Sequence, residues 1–186
     1  MSMVKTGVTF VLIAVVEAVS FCAYAGVVAY WDFSPGGLGL GDASGNGHYL
    51  ANAGVTFTNG AAVFDGNQTT FCTRDWLNLS PYAKLTVEAF IKSSLASQTQ
   101  VFLEQTGDFN NNLGAFIAYL GSGAGPVVAG FRAGTSDPDY NNSTTANNAL
   151  ADGQWHHIAL VMDSQASGAG VVDLYLDGRL QTDTMT

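Results

Sequence analysis

Positive charge is scarce in this chain. Lys and Arg together number 6 among 186 residues, against 15 Asp and Glu, and the formal net charge is −9. No basic cluster offsets that total. Nucleic acid and anionic membrane surfaces both call for a basic face, so neither is expected as a partner. Glutamate is rarer still. Beyond residue 25 only Glu88 and Glu104 occur, which is thin material for chemistry that needs two positioned carboxylates. Cysteine is nearly absent, at 2 residues, Cys22 and Cys72. No apolar run reaches the ~20 residues of a spanning helix. Charged residues make up 11% of the chain, less than half the ~25% of an average soluble domain. Asn, Ser, Thr, Gln and Gly must therefore cover the surface.

The first residues read as an export leader. Lys5 gives a short positive start. An apolar run follows from Val8 to Val16, is broken by Glu17 and resumes at 18–21. Ala23-Tyr24-Ala25 then has the small-x-small form of a signal-peptidase site. The expected organisation is a leader over 1–25 and one domain over 26–186, exported to the cell surface or secreted. The mature domain is not expected to insert in a membrane. A cut after Ala25 removes Cys22 and leaves Cys72 without an internal disulfide partner. The core, not a staple, must then carry the fold.

Apolar residues supply 47% of the chain and Gly 22 positions. Short β-rich runs alternate with turn signals over 27–33, 55–58, 62–64, 85–92, 101–105, 115–120 and 127–132. Asn59-Gly60 marks a hairpin. In 85–92, Leu85, Val87, Ala89 and Ile91 share one face, with Thr86, Glu88, Phe90 and Lys92 opposite. In 155–163, Ile158, Leu160 and Met162 share a face, while His157 lies with Trp155 and Ala159. In 171–177, Val172, Leu174 and Leu176 oppose Asp173, Tyr175 and Asp177, and Asp177-Gly178 makes the next turn. This is the alternation of half-buried antiparallel strands. About ten short strands predict an all-β sandwich or barrel. Residues 133–153 form the longest irregular stretch and are expected to be a loop.

Five motifs in order carry a resemblance. They are Val28-Ala29-Tyr30-Trp31-Asp32-Phe33, Asp42-Ala43-Ser44-Gly45-Asn46-Gly47, Ala62-Val63-Phe64-Asp65-Gly66, Leu85 through Lys92, and the pair Asp152-Gly153-Gln154-Trp155-His156-His157-Ile158-Ala159 and Leu174-Tyr175-Leu176-Asp177-Gly178. Together they resemble the laminin G-like jelly-roll family of the concanavalin A-like superfamily. The resemblance implies an antiparallel two-sheet sandwich. Family members usually continue past the last hairpin with another strand pair. This sequence ends at Thr186, so the sandwich is expected to lack its last strands.

The fold hosts lectins, adhesion modules and glycosidases, so function has to come from the site. Glucanases of the superfamily typically carry an E-x-D-x-x-E strand, and neither Glu88 nor Glu104 lies in one. A non-catalytic module that binds a glycan or an extracellular protein is the leading expectation. A spacer in a larger surface protein and a glycoside hydrolase are the alternatives. Calcium is the one cofactor to consider. Asp42, Ser44 and Asn46 crowd oxygens into a glycine turn, and the resemblance makes Asp42, Asn46 and Asp65 its candidate ligands. The competing reading is an Asx-turn whose side chains bond their own backbone. For ligand contact, aromatic residues amid polar ones stand in expected loops: Asp108, Phe109 and Asn110, then Asp137, Asp139 and Tyr140. His156 and His157 are adjacent on a strand and point to opposite faces, so they are not expected to share one ion.

Overall fold

The computed structural model describes residues 8–17, 26–33, 40–64, 70–73, 82–94, 100–105, 115–120, 127–132, 142–146, 150–163 and 171–181. Every regular element among them is a strand, and every pairing is antiparallel. The strands are β1 (Val8–Glu17), β2 (Val27–Trp31), β3 (Leu50–Ala53), β4 (Thr56–Thr58), β5 (Ala61–Phe64), β6 (Thr70–Thr73), β7 (Lys84–Lys92), β8 (Gln100–Gln105), β9 (Ala115–Leu120), β10 (Val127–Arg132), β11 (Asn142–Ala146), β12 (Trp155–Asp163), β13 (Val171–Leu176) and β14 (Arg179–Leu180). The chain is thus an antiparallel β-sandwich, as the alternation predicts.

The larger sheet has the order β14-β13-β12-β7-β1-β5-β4, with β2 paired to β1. A second sheet runs β11-β10-β9-β8, and β3 pairs with β6 alone. At the centre of the large sheet, β7 and β12 pair without a break from Lys84↔Asp163 to Lys92↔Trp155. That register sets the two hydrophobic half-patterns on one side. Val87, Ile91, Ile158, Leu160 and Leu174 are fully buried there, with Trp31, Phe33 and Leu150 packed into the same core. Burial of this kind contributes roughly 1.5–3 kcal/mol per large side chain.

Two of the turns need a left-handed backbone. Asn59 (φ 51) and Gly60 (φ 74) join β4 to β5, while Asp177 (φ 48) and Gly178 (φ 74) join β13 to β14. Positive φ at both central residues is the type I′ arrangement, whose twist matches the flanking strands.

One stretch departs from the sequence expectation. Residues 133–153 contain β11, which pairs along β10 from Val127↔Ala146 to Phe131↔Asn142. Its sequence, NSTTA, has no apolar alternation. The strand exists because β10 offers a free ladder and because Thr144 and Thr145 are β-branched. Val8–Glu17 forms β1 within the large sheet, between β7 and β5. No helix among the described residues is long and apolar enough to cross a membrane.

Candidate functional site

The polar side of the central sheet carries two exposed aromatic side chains, Phe90 and Trp155. On β7, Glu88, Phe90 and Lys92 alternate away from the core, and on β12 so do Trp155, His157, Ala159 and Val161. On β13 the same side carries Asp173 and Tyr175. The register sets Lys92 beside Trp155, Phe90 beside His157, Glu88 beside Ala159, and Ala159 beside Tyr175. Directly opposed residues on one face of an antiparallel pair have Cβ atoms about 5 Å apart, so these side chains are neighbours.

Ala159 is the one small residue in that set and is 8% exposed. Glu88 and Tyr175 flank it across the strands, and His157 and Val161 flank it along β12. Larger side chains thus surround a buried alanine on this face. Phe90 and Trp155 stand at one end, 40% and 44% exposed. The Phe90 and His157 rings lie 4.9 Å apart, tilted at 45°. His157 Nε2 is 3.3 Å from Glu88 Oε2, an ion pair when the imidazole is protonated. Lys84 and Asp163 close the far end of the β7–β12 pair with an ion pair of 2.8 Å. Apolar rings, a carboxylate acceptor and cationic or imidazole donors thus share one exposed patch.

The turn at Asp42 does different work. Asp42 Oδ1 accepts from the backbone N–H groups of Tyr30 (3.0 Å) and Ser44 (2.9 Å), and Oδ2 accepts from that of His48 (2.9 Å). Asn46 Nδ2 donates to the carbonyls of Val27 (2.8 Å) and Val28 (2.9 Å). Burial works against the Asp42 charge, but bonds from Ser44, His48 and Tyr30 outweigh it and hold the carboxyl below its ordinary value. Gly45 (φ 85) and Gly47 (φ 84) take the backbone that the tight turn requires. The sequence-predicted calcium candidates Asp42 and Asn46 therefore tie the turn to β2 through the backbone, in the manner of an Asx-turn. Asp65 lies outside the described residues, as do Asp108, Phe109, Asn110, Asp137, Asp139 and Tyr140. Among the described residues, no group of three or more His, Cys, Asp or Glu side chains is arranged to hold a metal ion.

The two histidines diverge, as strand alternation predicts. While His157 joins the exposed patch, His156 clamps the end of the sheet. Its Nδ1 lies 2.8 Å from Asp177 Oδ2, and its Nε2 lies 3.1 Å from Asp152 Oδ1. Asp177 Oδ1 also accepts the His157 N–H at 2.9 Å, and the Asp177 N–H returns to the His157 carbonyl at 2.8 Å. Burial lowers the His156 pKa, but the bonds to Asp177 and Asp152 and their charges win, and the net shift is upward from 6.5. Asp177 is lowered from 3.8, chiefly by its bond with His156 and then by the His157 N–H.

The pH consequence follows from those directions. The His156 contribution is fully present below pH 6.5 and is lost as pH rises through the higher folded value. The Asp177 contribution is present above pH 3.8 and is lost as pH falls through the lower folded value. Thermal midpoints measured across pH should therefore carry a His156-dependent fall on the alkaline side of pH 6.5. H156Q should flatten that limb relative to the parent chain. An unchanged limb in H156Q would show that the clamp contributes nothing to it.

The comparisons with known proteins agree with this architecture. A sequence model of the laminin G-like type, described as the concanavalin A-like lectin/glucanases superfamily, matches residues 65–186. The sheet, its pairing and this match define the chain as a lectin-like sandwich module. It belongs to the laminin G-like family of the concanavalin A-like superfamily. No curated protein and no solved structure matches the chain. The matched span includes β7, β12 and β13, and so the whole exposed patch; the Asp42 turn precedes it.

Proposed function

We propose that this protein is a non-catalytic, exported module that binds a neutral glycan on the outer face of β7, β12 and β13. The observation that carries the reading is the exposure of Trp155 and Phe90 on the same sheet face as Glu88, His157 and Tyr175. A sugar ring presents an apolar C–H face and a rim of hydroxyls. Trp155 and Phe90 suit the first, and Glu88, His157 and Lys92 suit the second. A net charge of −9 favours a neutral ligand over an acidic one. Export rests on the leader-like composition of residues 1–25.

The non-catalytic part rests on carboxylate placement. Glycosidases hold two carboxyl groups roughly 5–9.5 Å apart. Glu88 is engaged by His157. Asp173, the acidic residue on this face of β13, lies two strands and two positions away, about 12 Å between Cα atoms by strand geometry. No ion is needed at the patch, so the Asp42 turn is separate from recognition in this reading.

A glycan array followed by titration calorimetry tests it. W155A should weaken the selected glycan by about tenfold or more, the loss of one aromatic platform. F90A should weaken it less, and EDTA should leave it unchanged. An unaltered affinity in folded W155A would overturn this placement of the site.

A further inference from the structure

We propose that Asn59 is a site of spontaneous covalent modification, where the folded chain loses ammonia from the side chain and ages to aspartate and isoaspartate. The inference rests on neither the glycan reading nor export.

The sequence holds five Asn-Gly or Asp-Gly steps, at 46–47, 59–60, 65–66, 152–153 and 177–178. Such steps are open to ring closure, because glycine leaves the attacking main-chain nitrogen uncrowded. Asp65-Gly66 lies outside the described residues. At three of the other four, the fold ties the side chain down. Asn46 Nδ2 donates to the carbonyls of Val27 at 2.8 Å and Val28 at 2.9 Å. Asp152 Oδ1 accepts the Gln154 N–H at 2.7 Å and lies 3.1 Å from His156 Nε2. Asp177 is held by His156 Nδ1 at 2.8 Å and by the His157 N–H at 2.9 Å. Those bonds also keep both aspartates below their ordinary carboxyl values, through Gln154 and then His156 for Asp152, and through His156 and then His157 for Asp177. An ionised carboxylate resists attack on its carbon. Asn59 differs on both counts. It is a neutral amide on an exposed residue, and among the described residues nothing bonds its carboxamide. The space beside it is open as well. A Cβ placed on Gly60 would meet nothing within 4 Å beyond its chain neighbours.

The reaction needs only water as co-reactant. The Gly60 main-chain nitrogen gives up its proton and attacks Asn59 Cγ. The Cγ–Nδ2 bond breaks, ammonia leaves, and a five-membered imide remains. Water then adds to one imide carbonyl and breaks its bond to the Gly60 nitrogen. Opening at Cγ gives aspartate. Opening at the main-chain carbonyl gives isoaspartate, whose main chain runs through Cβ and Cγ. A type I′ backbone turns the Gly60 nitrogen away from Cγ, so the turn has to open first. That opening is local. β4 is a three-residue strand at the edge of the large sheet, with Thr56 and Thr58 exposed. Hairpin tips of this kind fray at little cost in free energy. Phe57 can stay beside Phe33, with ring centroids 6.1 Å apart, while the two turn residues move. Isoaspartate lengthens the main chain by one methylene, which a two-residue I′ loop does not accommodate. The Thr58↔Ala61 pair then gives way.

The test is a time course on the full chain at mildly alkaline pH in heavy-oxygen water, folded and, in parallel, in concentrated urea. Peptide mapping by mass spectrometry reads the replacement of NH2 by labelled OH at Asn46 and Asn59. In urea the two should convert at similar rates, since glycine follows both. In the folded chain Asn59 should convert at least about tenfold faster than Asn46, whose two side-chain bonds must break first. Both aspartate and isoaspartate should appear at position 59. N59Q should leave that position unchanged, because the larger ring closes more slowly. The isoaspartate form, separated by chromatography, should melt about 2–4 °C below the parent. The proposal fails if folded Asn59 stays intact over a period in which the chain in urea converts fully. It fails equally if Asn46 keeps pace with Asn59 in the folded chain.

Discussion

Replacing Trp31 by alanine should cost about 3–5 kcal/mol, the range for truncating a buried large aromatic. Trp31 is 2% exposed and lies at the end of β2, inside the main core. Its indole Nε1 donates to the His48 carbonyl at 2.7 Å. One side chain thus fills the core and fastens the 40–49 turn region to it. W31A should lower the thermal midpoint by roughly 10 °C, given about 2–4 °C per kcal/mol in a chain of this size. W31F separates the two roles. It keeps a ring in the core but takes the donor from His48, and should cost about 1–2 kcal/mol. Equal midpoints for W31F and the parent would show that the indole bond is energetically silent.

The Asp42 turn gives the second large effect. Its carboxylate takes three backbone N–H donors, from Tyr30, Ser44 and His48. D42A leaves all three without that acceptor, and should cost about 1–3 kcal/mol because water reaches part of the turn. D42N is the sharper variant. An amide can still serve Tyr30 and Ser44 with its oxygen, but its NH2 then faces the His48 N–H. Since the Asp42 pKa is lowered in the fold, its contribution is present above pH 3.8 and disappears as pH falls through the lower folded value. The acid limb of the stability profile should therefore be shallower in D42N than in the parent. If calcium raised the parent midpoint and not that of D42N, the turn would be an ion site rather than a backbone tie.

The strands were legible wherever alternation was strong. β9, β10 and β12 have the bounds that the sequence predicts, because apolar side chains there alternate or run together between turn residues. The two I′ turns were legible because Asn-Gly and Asp-Gly tolerate positive φ. β11 was not, since nothing in NSTTA marks a strand until β10 supplies its ladder. Val8–Glu17 shows the opposite limit. An apolar β-branched run suits a leader core and a sheet interior equally, and composition does not separate them. The exposed patch was half legible. Trp155 with His157, and Glu88 with Phe90, were each placed on one face of their own strand. What brings the two halves together is the β7–β12 register, a pairing between residues far apart in the sequence. Local pattern carries no information about it. The loop candidates at 108–110 and 137–140 lie outside the described residues.

The unbroken β7–β12 pairing also sets a time order for assembly. β12 meets β13 across a short link, so that hairpin closes with little loss of chain entropy. β7 must reach the same strand across tens of intervening residues, through contacts of high sequence separation. The β12–β13 hairpin should form early, and docking of β7 should limit the folding rate. Substitutions that weaken only the hairpin contacts Leu160↔Leu174 and Ile158↔Leu176 should slow refolding. Those that weaken contacts made after β7 docks, such as the Asp42 turn, should instead hasten unfolding.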